Sequence, residues 1–134
     1  MELFGLNIAG IITATFAGMV LGGFWYSPLL FGKQWMESID KTPETIGTPT
    51  GPMIGSIVAS LLTAIGIAIL FPLIGIEQLQ DAIKVGLCLG ILVVFPALLS
   101  DNLFCGWGVR LLIIQAGYRI LAILSMSISI FYVA

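Results

Sequence analysis

The sequence contains no histidine, only two cysteines, and just five basic and seven acidic residues in 134. Without histidine there is no imidazole-ligated haem, no histidine-bound copper and no ordinary proton-shuttling side chain, which excludes a quinone-oxidising cytochrome. Cys88 and Cys105 form no C-x-x-C pair, so neither a redox dithiol nor a zinc site is expected, and both read as small apolar packing residues. A net charge of -2 supplies no basic patch for nucleic acid. Charged residues are 9% of the chain, against about 25% in globular domains.

What is present in excess is apolar: 59% of residues, with a mean hydropathy of +1.13. A water-soluble fold cannot hide that much apolar surface. The charges cluster at Glu2, from Lys33 to Glu44, from Glu77 to Lys84, and at Asp101, Arg110 and Arg119. Between them the sequence predicts four transmembrane helices, about 3–26, 53–76, 82–103 and 110–133, in one all-α integral membrane bundle covering the chain. The first run is about 36 Å long as a helix, enough to span the hydrocarbon core. Its start, Met1-Glu2-Leu3-Phe4, has no basic n-region, so a retained helix is expected rather than a signal peptide.

Small residues recur every fourth position, a spacing that lines one helix face and admits close backbone approach. Gly10, Ala14, Gly18 and Gly22 form such a small-xxx-small stripe in the first helix, Ser56, Ser60, Ala64 and Ala68 in the second. Ala82, Gly86 and Gly90 follow in the third, Ser125 and Ser129 in the fourth. Pro28 and Pro72 fall near helix ends, whereas Pro96 lies inside the third helix and predicts a kink over Leu92 to Pro96. The long polar loop 32–52 opens with Phe31, Trp35 and Ile39 opposite Lys33, Glu37 and Lys41, the pattern of a short interfacial amphipathic helix. Thr42-Pro43-Glu44 reads as a helix N-cap or a simple turn. Lys33, Lys41 and Arg110 share one side against Lys84 and the free amine on the other, which places the long loop on the cytoplasmic side.

Arg119 lies about 13 Å into the fourth helix, where an arginine costs about 2.5 to 3.5 kcal/mol by insertion scales. The apolar residues around it can carry that cost without explaining it. Gln115 and Tyr118 lie beside it, and Tyr26, Ser27, Asp101 and Asn102 fall on the same side of the bundle. The expected site is therefore a polar cluster of Tyr26, Asp101, Asn102, Gln115, Tyr118 and Arg119, with Asp101 as counter-charge, unless Arg119 snorkels and Asp101 is simply solvated. Asn7 reads as an interhelical hydrogen-bonding residue inside the first helix. Ser27-Pro28-Leu29-Leu30-Phe31-Gly32 and Ser100-Asp101-Asn102-Leu103-Phe104-Cys105 share Ser, Leu and Phe in register, a weak sign of a two-plus-two repeat.

The segment Trp25-Tyr26-Ser27-Pro28-Leu29-Leu30-Phe31-Gly32-Lys33, followed by Trp35, resembles the signature of the domain of unknown function 1761 family of small bacterial membrane proteins. The similarity extends to Asn102-Leu103-Phe104 and Ala116-Gly117-Tyr118, and so to nearly the whole chain. It implies four transmembrane helices, a bacterial inner-membrane location and a motif-bearing interface near the long loop. It implies no activity. The family pattern tends to have Asn at Gln115 and His at Arg119, and arginine serves neither metal binding nor proton transfer well. Physically, Trp-Tyr suits the headgroup level, Ser-Pro ends the helix and Gly32 permits a sharp turn.

Two function classes fit, the first the expectation and the second its alternative. One is a non-catalytic accessory subunit or homo-oligomeric bundle, whose partners are the lipid bilayer and other membrane helices. The other is a carrier or binding protein for a lipid, quinone, pigment or small cation, using the polar cluster. An unknown cofactor stays possible in the second class, since magnesium in a pigment accepts oxygen ligands from Asn or Gln. No carboxylate interrupts the first two helices, which argues against a proton-coupled drug exporter. An enzyme is not expected, because no nucleophile and base, metal cage or redox pair can be assembled from these residues.

Overall fold

The structure is a computed structural model and describes residues 2–3, 6–42, 44–48 and 50–133. Two short antiparallel strands, β1 (Glu2–Leu3) and β2 (Leu6–Asn7), open the chain, and all else regular is helical. The helices are α1 (Ile8–Trp25), α2 (Gly32–Ser38), α3 (Thr50–Ile74), α4 (Leu79–Cys88), α5 (Phe95–Cys105) and α6 (Val109–Val133), with a π-helical stretch, Leu89–Val94, joining α4 to α5. Four continuous segments, Ile8–Trp25, Thr50–Ile74, Leu79–Cys105 and Val109–Val133, are long and apolar enough to cross a membrane.

The first helix begins at Ile8, not Leu3, and the reason is Asn7. Instead of lying in a helix interior, Asn7 is the N-cap: its Oδ1 accepts from the Gly10 N–H at 3.1 Å. A short amide side chain satisfies an orphan N–H of the first turn better than it tolerates a helical position. Its Nδ2 donates to the Val133 carbonyl at 3.0 Å, so the cap also ties the start of α1 to the end of α6.

The sixth helix is the hub. It carries ten buried residues, and α1, α3, α4, the π-helical stretch and α5 all pack on it. Ile11, Ala14, Ala64, Ile67, Ile123, Met126 and Ile130 form the centre of the core. Gly10, Ala14 and Gly18 are buried with Gly22 half-buried, and a Cβ at Gly18 would collide with Met126 Cε. Ser60 and Ala64 are buried while Ser56 is exposed, and Ala82, Gly86 and Gly90 are all buried. Added Cβ atoms would meet Ser127 Oγ at 2.9 Å from Gly86 and Ile120 Cα at 3.1 Å from Gly90, so α4 and the π-helical stretch lie close on α6. Ser125 and Ser129 do not serve as the packing stripe of α6. They are half-buried and donate to carbonyls of their own helix, and the wholly buried serine is Ser127.

Where a kink was expected over Leu92 to Pro96, the segment before Pro96 shows a change of winding, π-helical over Leu89–Val94. Proline supplies no N–H and its ring crowds the carbonyl one turn back, so the preceding residues widen to i→i+5 bonding. The Phe95 N–H accordingly reaches the Gly90 carbonyl. Gly75, at φ +87, ends α3, with its N–H and that of Ile76 both on the Phe71 carbonyl. At Thr42 the chain makes one turn, Thr45 N–H to Thr42 O at 3.0 Å, and Pro43 lies outside the described residues. The two similar hexapeptides differ in structure: Ser27–Gly32 is mostly turn, whereas Ser100–Cys105 is helical, so no repeat is visible there.

Candidate functional site

The site grows from the turn that ends α1. Ser27 Oγ donates to the Phe24 carbonyl at 2.7 Å, Phe31 N–H reaches Trp25 O at 3.0 Å, and Gly32 N–H reaches Ser27 O at 2.9 Å. Any Cβ at position 32 would overlap the Tyr26 carbonyl oxygen, so the turn requires glycine. The reversal lays α2 alongside the start of α6, where Arg110 and Glu37 pair at 2.8 Å on the surface. Pro28, Leu29 and Lys33 are exposed, while Phe31 and Trp35 face inward in part.

Two motif residues dock on α6. Trp25 donates Nε1–H to the Ile114 carbonyl at 2.9 Å and lies over Gly117, where a Cβ would sit 2.8 Å from Cζ2. Its ring also packs on Phe31 at 4.7 Å. Tyr26 meets Trp35 edge-on at 5.3 Å and Tyr118 at 5.5 Å. Tyr118 is buried and donates its hydroxyl to the Gly18 carbonyl at 3.0 Å; Gly22 leaves the room, since a Cβ there would meet the phenol oxygen at 3.0 Å. The Arg119 guanidinium carbon stands 5.2 Å from the centre of the Tyr118 ring, a cation–π distance. Trp35, Tyr26, Tyr118 and Arg119 thus form one continuous chain.

On the other side of Tyr118 and Arg119 lies a cleft of about 240 Å³ between α3 and α6. Ala59, Ser60 and Thr63 line it from α3, Val94 from the π-helical stretch, and Ala122 and Met126 add to the α6 wall. Ser60 and Arg119 each lie about ten residues into their helices, so both sit about 15 Å from the same end of the molecule. Thr63 donates its hydroxyl to the Ala59 carbonyl and Ser60 points at Met19 Sδ, 3.6 Å away.

Of the six expected cluster residues, Tyr26, Tyr118 and Arg119 come together. Asp101 does not join them: it is exposed, and among the described residues Arg119 has no carboxylate partner. The reason is helical geometry, because adjacent residues point about 100° apart. Asn102 takes the inward face of α5, donating to the Gly108 carbonyl at 3.0 Å and accepting from Gly106 and Trp107 through its own carbonyl, and Asp101 is turned outward. Gln115 is half-buried one turn before Arg119. Ala59, Thr63 and Val94 were not expected in the site. Equal depth from the shared end of the second and fourth helices is the signal that pairs Ser60 with Arg119, and Thr63 follows three residues deeper on α3.

An all-α chain with four helices apolar enough to cross a membrane, an aromatic turn locking the first to the last, and a cleft beside a lone arginine defines the class. Residues 9–131 match the family described as protein of unknown function (DUF1761), and the chain belongs to that family. No curated protein and no solved structure matches it.

Proposed function

We propose that the chain is a non-catalytic integral membrane protein that holds an amphiphilic small molecule in the cleft between α3 and α6. The carrying observation is the cleft itself, which combines apolar walls with Arg119. In a bilayer whose hydrocarbon core is about 30 Å thick, a residue about 15 Å along its helix lies near the middle. A charge at such depth usually faces an interior or a cavity and marks a functional position. The lining favours a lipid-like, quinone-like or pigment-like molecule over a small cation, since its one charge is positive and no group of three or more acidic or thiol side chains occurs among the described residues.

The competing reading is an accessory subunit or a homo-oligomer. In its favour, residues 50–58 of α3 are exposed on every face, with open space around Gly51 and Gly55. Lipid tails cover such a face as well as another helix does, so the cleft carries the conclusion.

Native mass spectrometry and an absorbance spectrum of the gently extracted protein test the reading. Wild type is expected to carry one reproducible small-molecule adduct, and Ala59→Leu, which narrows the cleft, to carry much less of it. Recovery of wild type with bulk lipid alone sinks the proposal, and recovery with other membrane subunits favours the accessory reading.

A further inference from the structure

We infer that the ligand of the cleft is a long-chain carboxylate, one negative head on one apolar tail, with its head on Arg119. The inference rests on the cleft being a binding site. It comes from the balance of donors and charge in the lining. Arg119 carries five N–H donors in a planar fork, is always charged and accepts nothing. Among the described residues the ion pair that forms is Arg110 with Glu37 on the surface, and Arg119 has none. The Tyr118 ring offers its face to the guanidinium but no acceptor for its N–H groups. The hydroxyl hydrogens nearby are already directed elsewhere: Tyr118 to Gly18 O, Thr63 to Ala59 O and Ser60 toward Met19 Sδ. What the cleft lacks is therefore an oxyanion, which an arginine fork binds in two parallel hydrogen bonds. A neutral carbonyl or hydroxyl accepts from the fork but leaves its charge unmatched, and a cation is repelled by it.

Depth and size choose the kind of oxyanion. A volume of about 240 Å³ is below the roughly 300–1,000 Å³ of pockets that enclose a whole small molecule, so the cleft holds a head and the tail leaves it. Ala59, Thr63 and Val94 of the lining are themselves only half-buried, so the cleft opens on the surface and the tail can leave there. A bilayer phospholipid keeps its phosphate outside the hydrocarbon core, whereas Arg119 lies nine residues, about 13 Å, beyond the charged Arg110 that opens its helix. A carboxylate on a single chain is compact enough to sink to that depth.

The test uses the full chain in phosphatidylcholine nanodiscs with three spin-labelled probes of matched chain length: stearate at an alkaline pH that ionises it in the bilayer, its methyl ester, and phosphatidylglycerol. Electron paramagnetic resonance reads the motionally restricted fraction of each. Wild type is expected to restrict stearate about tenfold more strongly than the ester, the size of one charge-assisted interaction. Arg119→Gln is expected to erase that preference while Arg119→Lys keeps part of it. Because the acid-to-ester ratio is read on wild type, the outcome stands even if a variant fails to fold. Equal restriction of acid and ester overturns the carboxylate inference and leaves the cleft reading intact. Stronger restriction of phosphatidylglycerol than of stearate overturns the single-chain assignment. Restriction of none of the three above bulk lipid overturns both.

Discussion

The sixth helix meets α1 and α3 in opposite ways. Toward α1 a glycine on one side receives a large side chain from the other at three places: Gly18 receives Met126, Gly22 receives Tyr118 and Gly117 receives Trp25. Toward α3, Ala59, Ser60 and Thr63 leave a cleft against Ala122, Ile123, Met126 and Arg119. A large side chain seated on a glycine closes the first seam, and no side chain fills the space beside Ala59 on the second. Both seams use the same residue types at helical spacing, so a stripe of small residues says only that approach is permitted. What the opposing helix offers decides whether the gap is closed.

Substitutions that reverse size on each seam break or sharpen this contrast. Gly117→Val drives a branched side chain into the Trp25 ring and strains its bond to Ile114 O, so it is expected to cost about 2 to 3 kcal/mol by thermal unfolding in mild detergent. A loss under about 0.5 kcal/mol would show that the α1 seam yields easily. Tyr118→Phe keeps the ring against Tyr26 and Gly22 but removes the donor to Gly18 O, with an expected loss of about 1 kcal/mol in the same assay. The smallest effect is expected across the cleft, where Ala59→Leu adds volume into open space and shifts stability by less than about 1 kcal/mol. If Ala59→Leu destabilises as much as Gly117→Val, the two seams are equally tight and the contrast fails.

The four long helices were legible from hydropathy alone because nothing but a membrane-like pattern explains runs of that length. Their ends were less so: Asn7 looked like a polar intrusion because its value as a cap depends on where winding begins. The turn from Trp25 to Trp35 was readable as a helix stop and reversal, and Gly32 as its pivot. That Trp25 docks on Gly117 and Tyr26 on Tyr118 was not readable, since it depends on which helices become neighbours. Arg119 stood out by charge, and Tyr26 and Tyr118 by their depth. Asp101 misled because depth was matched without direction around the helix, and Asn102 holds the inward direction. The cleft left one mark in the sequence, the equal depth of Ser60 and Arg119 in helices that start at the same end, and its other residues are of kinds that pack well elsewhere.

The π-helical stretch has a consequence for phase. At about 100° per residue, the twelve positions from Gly90 to Asn102 would carry Asn102 roughly 120° off the line of Ala82, Gly86 and Gly90 in an unbroken α-helix. One wide turn absorbs a single residue, and the remaining eleven steps bring Asn102 back to within roughly 20°. Both halves of the segment therefore present one continuous edge to α6, glycines for close approach at one end and the amide that holds the Gly106–Gly108 turn at the other. Pro96 thus works as a phase corrector: the irregularity it imposes keeps a 27-residue span in register with its neighbour along its whole length.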